Sequence, residues 1–370
     1  MNFNILLVGT IYPPDSGGPA TFIEEFAKWL VANGNNVTVL ATSAKRTEPN
    51  KIEKINLKLV WRSWLPLRLL KFSFFLRKEA KKVDVILAVG GFIETYLATR
   101  LLNSRVYYKV PGDIVWERAR NKGYTALNIS EFQNSRIGFS ESIVRFLQSK
   151  ALRESNGVIV PSYGLKEICL QWGVSNSKLR VIHNSVSPLF SINSIQNKKI
   201  KYDVVTVCRL TPWKGVDQLI RVCSDLKLNL LVIGEGPELE KLKVLASSLK
   251  SNAEFVGQIE TSEVSDYLKM SKIMVLNSSY EGLPHALIEA RQMGCIAISR
   301  LGTGSEEVIT NEVNGYLTDG TSEDLKINIQ KGLLNNHKNR VLIENGYRDN
   351  FERFDQTKNF MRILEVLIGM

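Results

Sequence analysis

Two successive series of short β-branched runs, each alternating with amphipathic helical patterns, constrain this chain more than any other feature. Strands that recur one helix apart are joined by crossovers, and crossovers build parallel sheets covered by helices on both faces. In the first series the runs 4–8, 36–40, 57–61, 83–88, 104–110 and 157–160 read as strands. Residues 20–33, 65–82, 94–102 and 140–154 carry the intervening helical periodicity. The pattern lapses in a polar stretch, 191–201, read as a linker, and then restarts. Strands at 203–208, 228–233, 253–256, 273–276 and 296–299 follow, with helices near 216–226, 237–250 and 261–270. The expected fold is α/β, two Rossmann-like domains facing each other across a cleft, with ligands near the carboxyl ends of the strands. Residues 1–187 make the first domain and 188–355 the second; the helix-like segment 356–370 suits either, including a return onto the first.

The bulk numbers agree. A chain of 370 residues exceeds one typical core, and 44% hydrophobic with 23% charged residues is a globular balance. The N-terminal residues lack the basic region of a signal peptide, and no apolar run approaches the roughly 18 residues of a spanning helix. Cys169, Cys208, Cys223 and Cys295 show no CxxC spacing, the pattern of buried free thiols in a cytoplasmic protein. His183, His285 and His337 form no ligand motif, so a His-based metal site is not expected; no cofactor is expected either. Residues 1–185 hold 26 Lys and Arg against 14 Asp and Glu, and the remainder holds 22 against 23. The whole formal excess of +11 thus belongs to the N-terminal half, which points to an anionic partner there.

The richest local signal is the stretch from Ser278 to Ala290, where Glu281 and Glu289 flank Gly282-Leu283-Pro284 ahead of an apolar helix. Pro284 suits a first-turn position, where its missing N–H costs nothing. The amides of His285, Ala286 and Leu287 then emerge at a helix N-terminus, where anions are stabilised. A carboxylate beside an anion site fits a ligand that also carries hydroxyls, because carboxylates accept hydrogen bonds from sugar OH groups. A nucleotide sugar has both.

Further pieces suit the same ligand. Arg209 falls where a strand ends and Lys214 lies in the following loop; two such cations neutralise a departing diphosphate without a metal. Gly234-Glu235-Gly236-Pro237 follows another strand and permits close backbone approach, to a nucleotide or to neighbouring backbone. Gly17 and Gly18 lie between the first strand and its helix, an ordinary turn or a ligand loop.

Together these motifs resemble the retaining glycosyltransferases of family 4, which have the GT-B fold. The match runs in order over most of the chain: Gly17-Gly18, the segment Ile182-His183-Asn184-Ser185-Val186, Arg209 with Lys214-Gly215, Gly234 to Pro237, the Glu281–Glu289 pair, Gly302 with Glu306-Glu307-Val308, and Asn314-Gly315. The resemblance implies that Arg209 and Lys214 bind the donor diphosphate and Glu281 the donor-sugar hydroxyls. It also implies that Glu289 binds the ribose, and that Gly18 and the 285–286 amides line the phosphates. Transfer is then metal-independent and retains anomeric configuration, with a leaving phosphate oxygen helping to deprotonate the acceptor. One departure stands out. Many family members carry a histidine at the end of an N-domain strand, where this chain has Pro111. Asp113 is the candidate substitute that orients substrate hydroxyls; the alternative is that it caps the helix that follows.

The acceptor side is legible only in outline. Leu65, Leu69, Phe72, Leu76 and Ala80 make a core stripe, while Leu67, Leu70 and Phe74 form a second apolar patch among Arg77, Lys78 and Lys81. Spare apolar surface on a basic helix is the pattern of a peripheral membrane contact; packing under a loop or partner subunit is the alternative. The expectation is transfer of a hexose-type sugar to a glycan or lipid-linked acceptor at the cytoplasmic membrane face. Nucleic acid is not expected, since no binding module is present. A non-catalytic donor-binding subunit and a sugar-nucleotide epimerase are the competing functions.

Overall fold

The structure, a computed structural model, describes residues 2–13, 15, 17–43, 54–61, 65–186, 199–302 and 304–369. The chain divides into two compact units. One comprises Met1–Trp116, Ser130–Ile182 and Phe360–Met370, the other Glu117–Ile129 and His183–Asn359. The expected boundary at 187/188 and most of the polar stretch 191–201 lie outside the described residues.

The first unit holds strands β1 (Asn4–Gly9), β2 (Asn36–Ser43), β3 (Ile55–Trp61), β4 (Val85–Val89), β5 (Arg105–Lys109), β6 (Gly157–Val160) and β7 (Leu179–Val181), in the order β3-β2-β1-β4-β5-β6-β7. The second holds β8 (Tyr202–Val207), β9 (Leu230–Ile233), β10 (Ala253–Gly257), β11 (Ser271–Leu276), β12 (Ile296–Arg300) and β13 (Tyr316–Thr318), in the order β10-β9-β8-β11-β12-β13. Strand pairings in both sheets are parallel, for example Ile5 against Val37 and Val85, and Ile273 against Val204 and Ile296. Both sheets are Rossmann-like. The central strands β4, β6 and β9 are buried along their whole length, as continuous apolar runs must be when helices cover both faces.

Helices α1 (Gly18–Ala32), α2 (Leu65–Ala80), α3 (Phe92–Thr99), α4 (Ile114–Asn121), α5 (Ile129–Gln133), α6 (Phe139–Glu154) and α7 (Tyr163–Gln171) precede β8. After it come α8 (Val216–Asp225), α9 (Leu239–Ser248), α10 (Thr261–Lys269), α11 (His285–Gln292), α12 (Ser322–Leu333), α13 (His337–Arg353) and α14 (Gln356–Ile368). Ala20, Ile23, Phe26, Ala27 and Leu30 form the buried stripe of α1, the spacing of one helical face. Phe360, Ile363 and Leu367 of α14 join that core, with Phe360 edge-on to Phe22 and Phe26. Pattern reading missed β7 and β13, sheet edges of three residues each, too short to display a period. It also missed α5, α7, α12 and α13, of which α7, α12 and α13 start at side-chain caps on Ser162, Thr321 and Asn336; α4 is the helix that the capping alternative for Asp113 supposed. Burial pushes the thiols of Cys169 and Cys223 up to about 12, and none of the four cysteines is in a disulfide.

A buried charge network fixes α11 against α13. Arg291, 1% exposed, donates to the carbonyls of Val308 and Gly346 and to Asp349 Oδ2 at 2.5 Å. Burial alone would raise the Asp349 carboxyl, but the Arg353 and Arg291 guanidiniums more than offset it and hold it below its ordinary value of 3.8. The resulting stabilisation is whole above that value and is lost as pH falls through the lower native one. Asp349→Ala leaves Arg291 buried without a counter-ion, an expected loss of roughly 3–5 kcal/mol. Denaturant unfolding of the two proteins at neutral and acid pH measures both effects: the difference should be largest at neutral pH and shrink on acidification.

Candidate active site

In the second sheet β8 and β11 are neighbours, and the strand order runs outward from them in opposite directions. Loops leaving the carboxyl ends of such a pair diverge, and the crevice they open is where open α/β sheets take ligands. The loop after β8 carries Arg209 and Lys214, and the loop after β11 carries Glu281.

These two loops are tied together. Ser279 N donates to Trp213 O at 2.8 Å, and Asn277 Nδ2 donates to Gly215 O at 3.1 Å and Gln218 Oε1 at 2.8 Å. Gly215 has φ +60°, and a Cβ there would lie 2.6 Å from Asn277 O, so both conformation and space demand glycine. With the loops so held, Lys214 Nζ meets Glu281 Oε1 at 2.5 Å, the two side chains 15% and 12% exposed. Burial works to lower the Lys214 pKa, but the Glu281 carboxylate, helped by Cys208 and Glu117, outweighs it, and the net shift is upward. Lys214 therefore stays an ammonium. Glu281 takes one of its three N–H donors, so the same ammonium has donors to give to a phosphate. The carboxylate likewise has more acceptor sites than one ion pair uses. Arg209 is exposed just beyond β8.

The remaining site motifs serve the same corner. Asn184 Nδ2 donates to Leu283 O at 3.2 Å, holding the Gly-Leu-Pro turn. Glu306 accepts from the amides of Gly302 and Gly304. Gly304, at φ +94°, lies so close to the Glu281 backbone that a Cβ would fall 2.2 Å from its carbonyl oxygen. Thr211 Oγ1, Asn277 Oδ1 and Ser278 Oγ are buried without a hydrogen-bond partner. Each such atom costs roughly 1–3 kcal/mol if it stays unpaired, and all three lie in these two loops. Sequence reasoning missed Asn277, Gln218, Thr211 and Ser278, whose polar character alone did not single them out.

Helix α11 starts at His285 with no side chain capping it. Its first residues, His285, Ala286 and Leu287, carry amides without intrahelical acceptors, and Glu289 is its fifth residue. Pro284 is the N-cap of the helix, at φ −77° and ψ 106°, immediately ahead of the first turn in which it was expected. That extended ψ ends the turn and sets where the helix can begin.

Three expected residues have other duties. A Cβ on Gly234, at φ +133°, would lie 1.9 Å from Cys208 O, and one on Gly236 would lie 2.2 Å from Leu210 O. What approaches these glycines is neighbouring backbone, joined by Leu210 N to Glu235 O at 2.9 Å and Glu238 N to Leu210 O at 3.1 Å. On the side where a Cβ would stand, close approach of neighbouring backbone is thus what these glycines serve, because that space is already filled. Asp113, 0% exposed, accepts from the amides of Val115 and Trp116 through Oδ1, and from Gln133 Nε2 and Arg145 Nη2 through Oδ2. It caps α4 and pairs with arginine, so the expectation that it orients substrate hydroxyls is corrected. In the first unit Gly17 is the N-cap of α1 at φ +143°, a conformation reserved for glycine, and Gly18 opens the helix.

Known proteins share the family and the fold. The family model described as Glycosyltransferase Family 4 matches residues 16–188, and that described as Glycosyl transferases group 1 matches residues 190–349. An uncharacterized glycosyltransferase of Methanocaldococcus jannaschii is 25% identical, with 97% of each chain covered. Sucrose-phosphate synthase from Thermosynechococcus elongatus superposes with a TM-score of 0.83 at 19% identity, covering 100% of this chain and 99% of that one. Anabaena HepE in complex with UDP-glucose gives 0.77 at 18% identity, with 100% of both covered. The motifs, the two parallel sheets and the family matches converge, and the chain belongs to the family 4 glycosyltransferases of GT-B fold.

Proposed function

We propose that the protein transfers a hexose-type sugar from a nucleoside-diphosphate donor to a glycan or lipid-linked acceptor, with retention and without a metal. The observation that carries this reading is the buried Lys214–Glu281 pair at the diverging ends of β8 and β11. Lys214 and Arg209 act on the diphosphate, neutralising the charge that grows as the anomeric carbon–oxygen bond breaks. Glu281 accepts from donor-sugar hydroxyls and Glu289 from the ribose, with the 285–287 amides toward phosphate. The acceptor oxygen bonds to the anomeric carbon on the face the diphosphate leaves, and its proton passes to a leaving phosphate oxygen. The UDP-glucose held by HepE supports a nucleotide sugar as donor.

Thermal-shift titration with a panel of nucleoside diphosphates and sugar nucleotides, without added metal, tests the reading. A ligand at 100 times its Kd should stabilise by about 2.7 kcal/mol; no shift from any member would remove the donor assignment. Arg209→Ala with Lys214→Ala is expected to weaken diphosphate binding by roughly 10²-fold, since each removes a charge-assisted hydrogen bond. Native affinity in that double variant would refute the phosphate roles. The engagement of Asp113 favours the second reading, a donor-binding subunit without turnover, because it removes the substitute for the family histidine. Product formation from crude lipid acceptor separates the two.

A further inference from the structure

In the second unit the loop that leaves β12 backs onto the loop that carries Glu281. Ser299, buried near the end of β12, donates through Oγ to Leu276 O at 2.8 Å and hydrogen-bonds Ser305 Oγ at 2.8 Å. Leu276 is the last residue of β11, and Ser305 opens the single turn Ser305–Glu307. One hydroxyl thus joins the roots of both loops. The Ser305 carbonyl then takes the amides of Val308 and Ile309 at 2.9 and 2.8 Å, and Arg353 Nη1 donates to Glu307 O at 2.7 Å. The base of the β12 loop is therefore fixed to the sheet and to α13.

Its tip is held by one half-buried side chain. Glu306 Oε2 accepts from the amide of Gly304 at 2.8 Å, and Oε1 accepts from the amide of Gly302. Both glycines have positive φ, +77° at Gly302 and +94° at Gly304, which takes their amides out of any regular ladder. A carboxylate shared by two amides makes charge-assisted bonds, roughly twice as strong as neutral ones. Leu301 and Gly302 are exposed, so hydrogen bonds rather than packing hold this limb. The inner limb meets the candidate site. A Cβ on Gly304 would lie 2.2 Å from Glu281 O and 3.9 Å from Gly282 O, so Gly304 abuts the residue whose carboxylate meets Lys214. Close-packed backbone transmits displacement, and a shift of Gly304 moves Glu281. We propose that Glu306 is a positioning residue for donor-sugar recognition: by clamping Gly302 and Gly304 it fixes the backbone that aims Glu281. Its carboxylate is turned to the two amides, so it acts through Glu281 and not on the sugar. This role rests on the assignment of Glu281 to donor-sugar hydroxyls above and deepens it.

The test is calorimetric titration of the full chain with free nucleoside diphosphate and with its sugar nucleotide, alongside transfer rates. Glu306→Ala should weaken sugar-nucleotide binding and slow transfer by roughly tenfold, the scale on which small misplacements at a reacting centre act. Diphosphate affinity should hold or rise, because the cations of the β8 loop stay in place. Glu306→Gln keeps an acceptor oxygen and should recover part of both losses. Glu306 lies outside the hydrophobic core, so a melting temperature near that of wild type confirms folding. The decisive comparison is made in a Glu281→Gln background. There the addition of Glu306→Ala should cost no more than about twofold, since a residue that acts through another loses its effect once that one is changed. Additive losses in the double variant would assign Glu306 to general stability and overturn the role. Equal losses for diphosphate and sugar nucleotide, or a Glu306→Ala protein that behaves as wild type, would overturn it too. A wild type that binds no sugar nucleotide removes the donor reading and this role together; one that binds it while the variants match it removes this role alone.

Discussion

Glu281→Gln is expected to lower sugar transfer by roughly 10²–10³-fold, the scale of losing one preorganised polar group at a reacting centre, while nucleoside-diphosphate affinity holds or rises. The second half of that expectation comes from the ion pair. In the wild type Lys214 gives one donor to Glu281 at 2.5 Å, and an incoming diphosphate shares the ammonium with the carboxylate. A neutral amide keeps the shape and an acceptor oxygen but relaxes that competition, so the diphosphate gains a freer cation. The donor sugar loses its charged acceptor and with it the alignment of the anomeric carbon. Transfer rates and calorimetric titration with free nucleoside diphosphate check the two halves separately. Transfer at the wild-type rate would remove Glu281 from the chemistry, and a large fall in diphosphate affinity would reassign it to holding Lys214. Glu281→Ala is a harsher test, because it strands a mostly buried ammonium, and its effect mixes chemistry with stability.

Gly234→Ala is expected to destabilise the second unit by several kcal/mol, lowering the melting temperature by roughly 10 °C or leaving the protein insoluble. Two costs combine. The φ of +133° is one that side-chain-bearing residues rarely adopt, and the added carbon would sit 1.9 Å from Cys208 O. That oxygen is backbone, in the loop that leads directly to Arg209, so relief requires moving the site itself. Gly123→Ala is the matched comparison. Its φ is +70° with nothing within 4 Å of the added carbon, so only the backbone term, roughly 1–2 kcal/mol, applies. Equal destabilisation by the two substitutions would show that conformational strain, and not the close packing of the loops, makes Gly234 necessary.

The sequence by itself determined the class of fold and the composition of the site. Alternation of period 2 and period 3.6 is a local property, so ten of the thirteen strands among the described residues match expected runs in place to within a residue or two, and β2 overlaps its run but extends further. The Glu281–Glu289 turn and the cations at the end of β8 were legible for the same reason: a strand end, a proline and a helix start are all written within a few residues. Tertiary structure decided what those residues do for one another. Lys214 and Glu281 are 67 positions apart, and only the adjacency of β8 and β11 makes them a pair. Asp113 reads the same in sequence as a catalytic carboxylate or a cap; Arg145, 32 residues on, and Gln133 occupy its outer oxygen. Gly234 and Gly236 read as ligand loops until the Cys208–Leu210 backbone is seen to fill the space over them. In each case the deciding partner lies far along the chain, where short-range pattern carries no information about which surfaces meet.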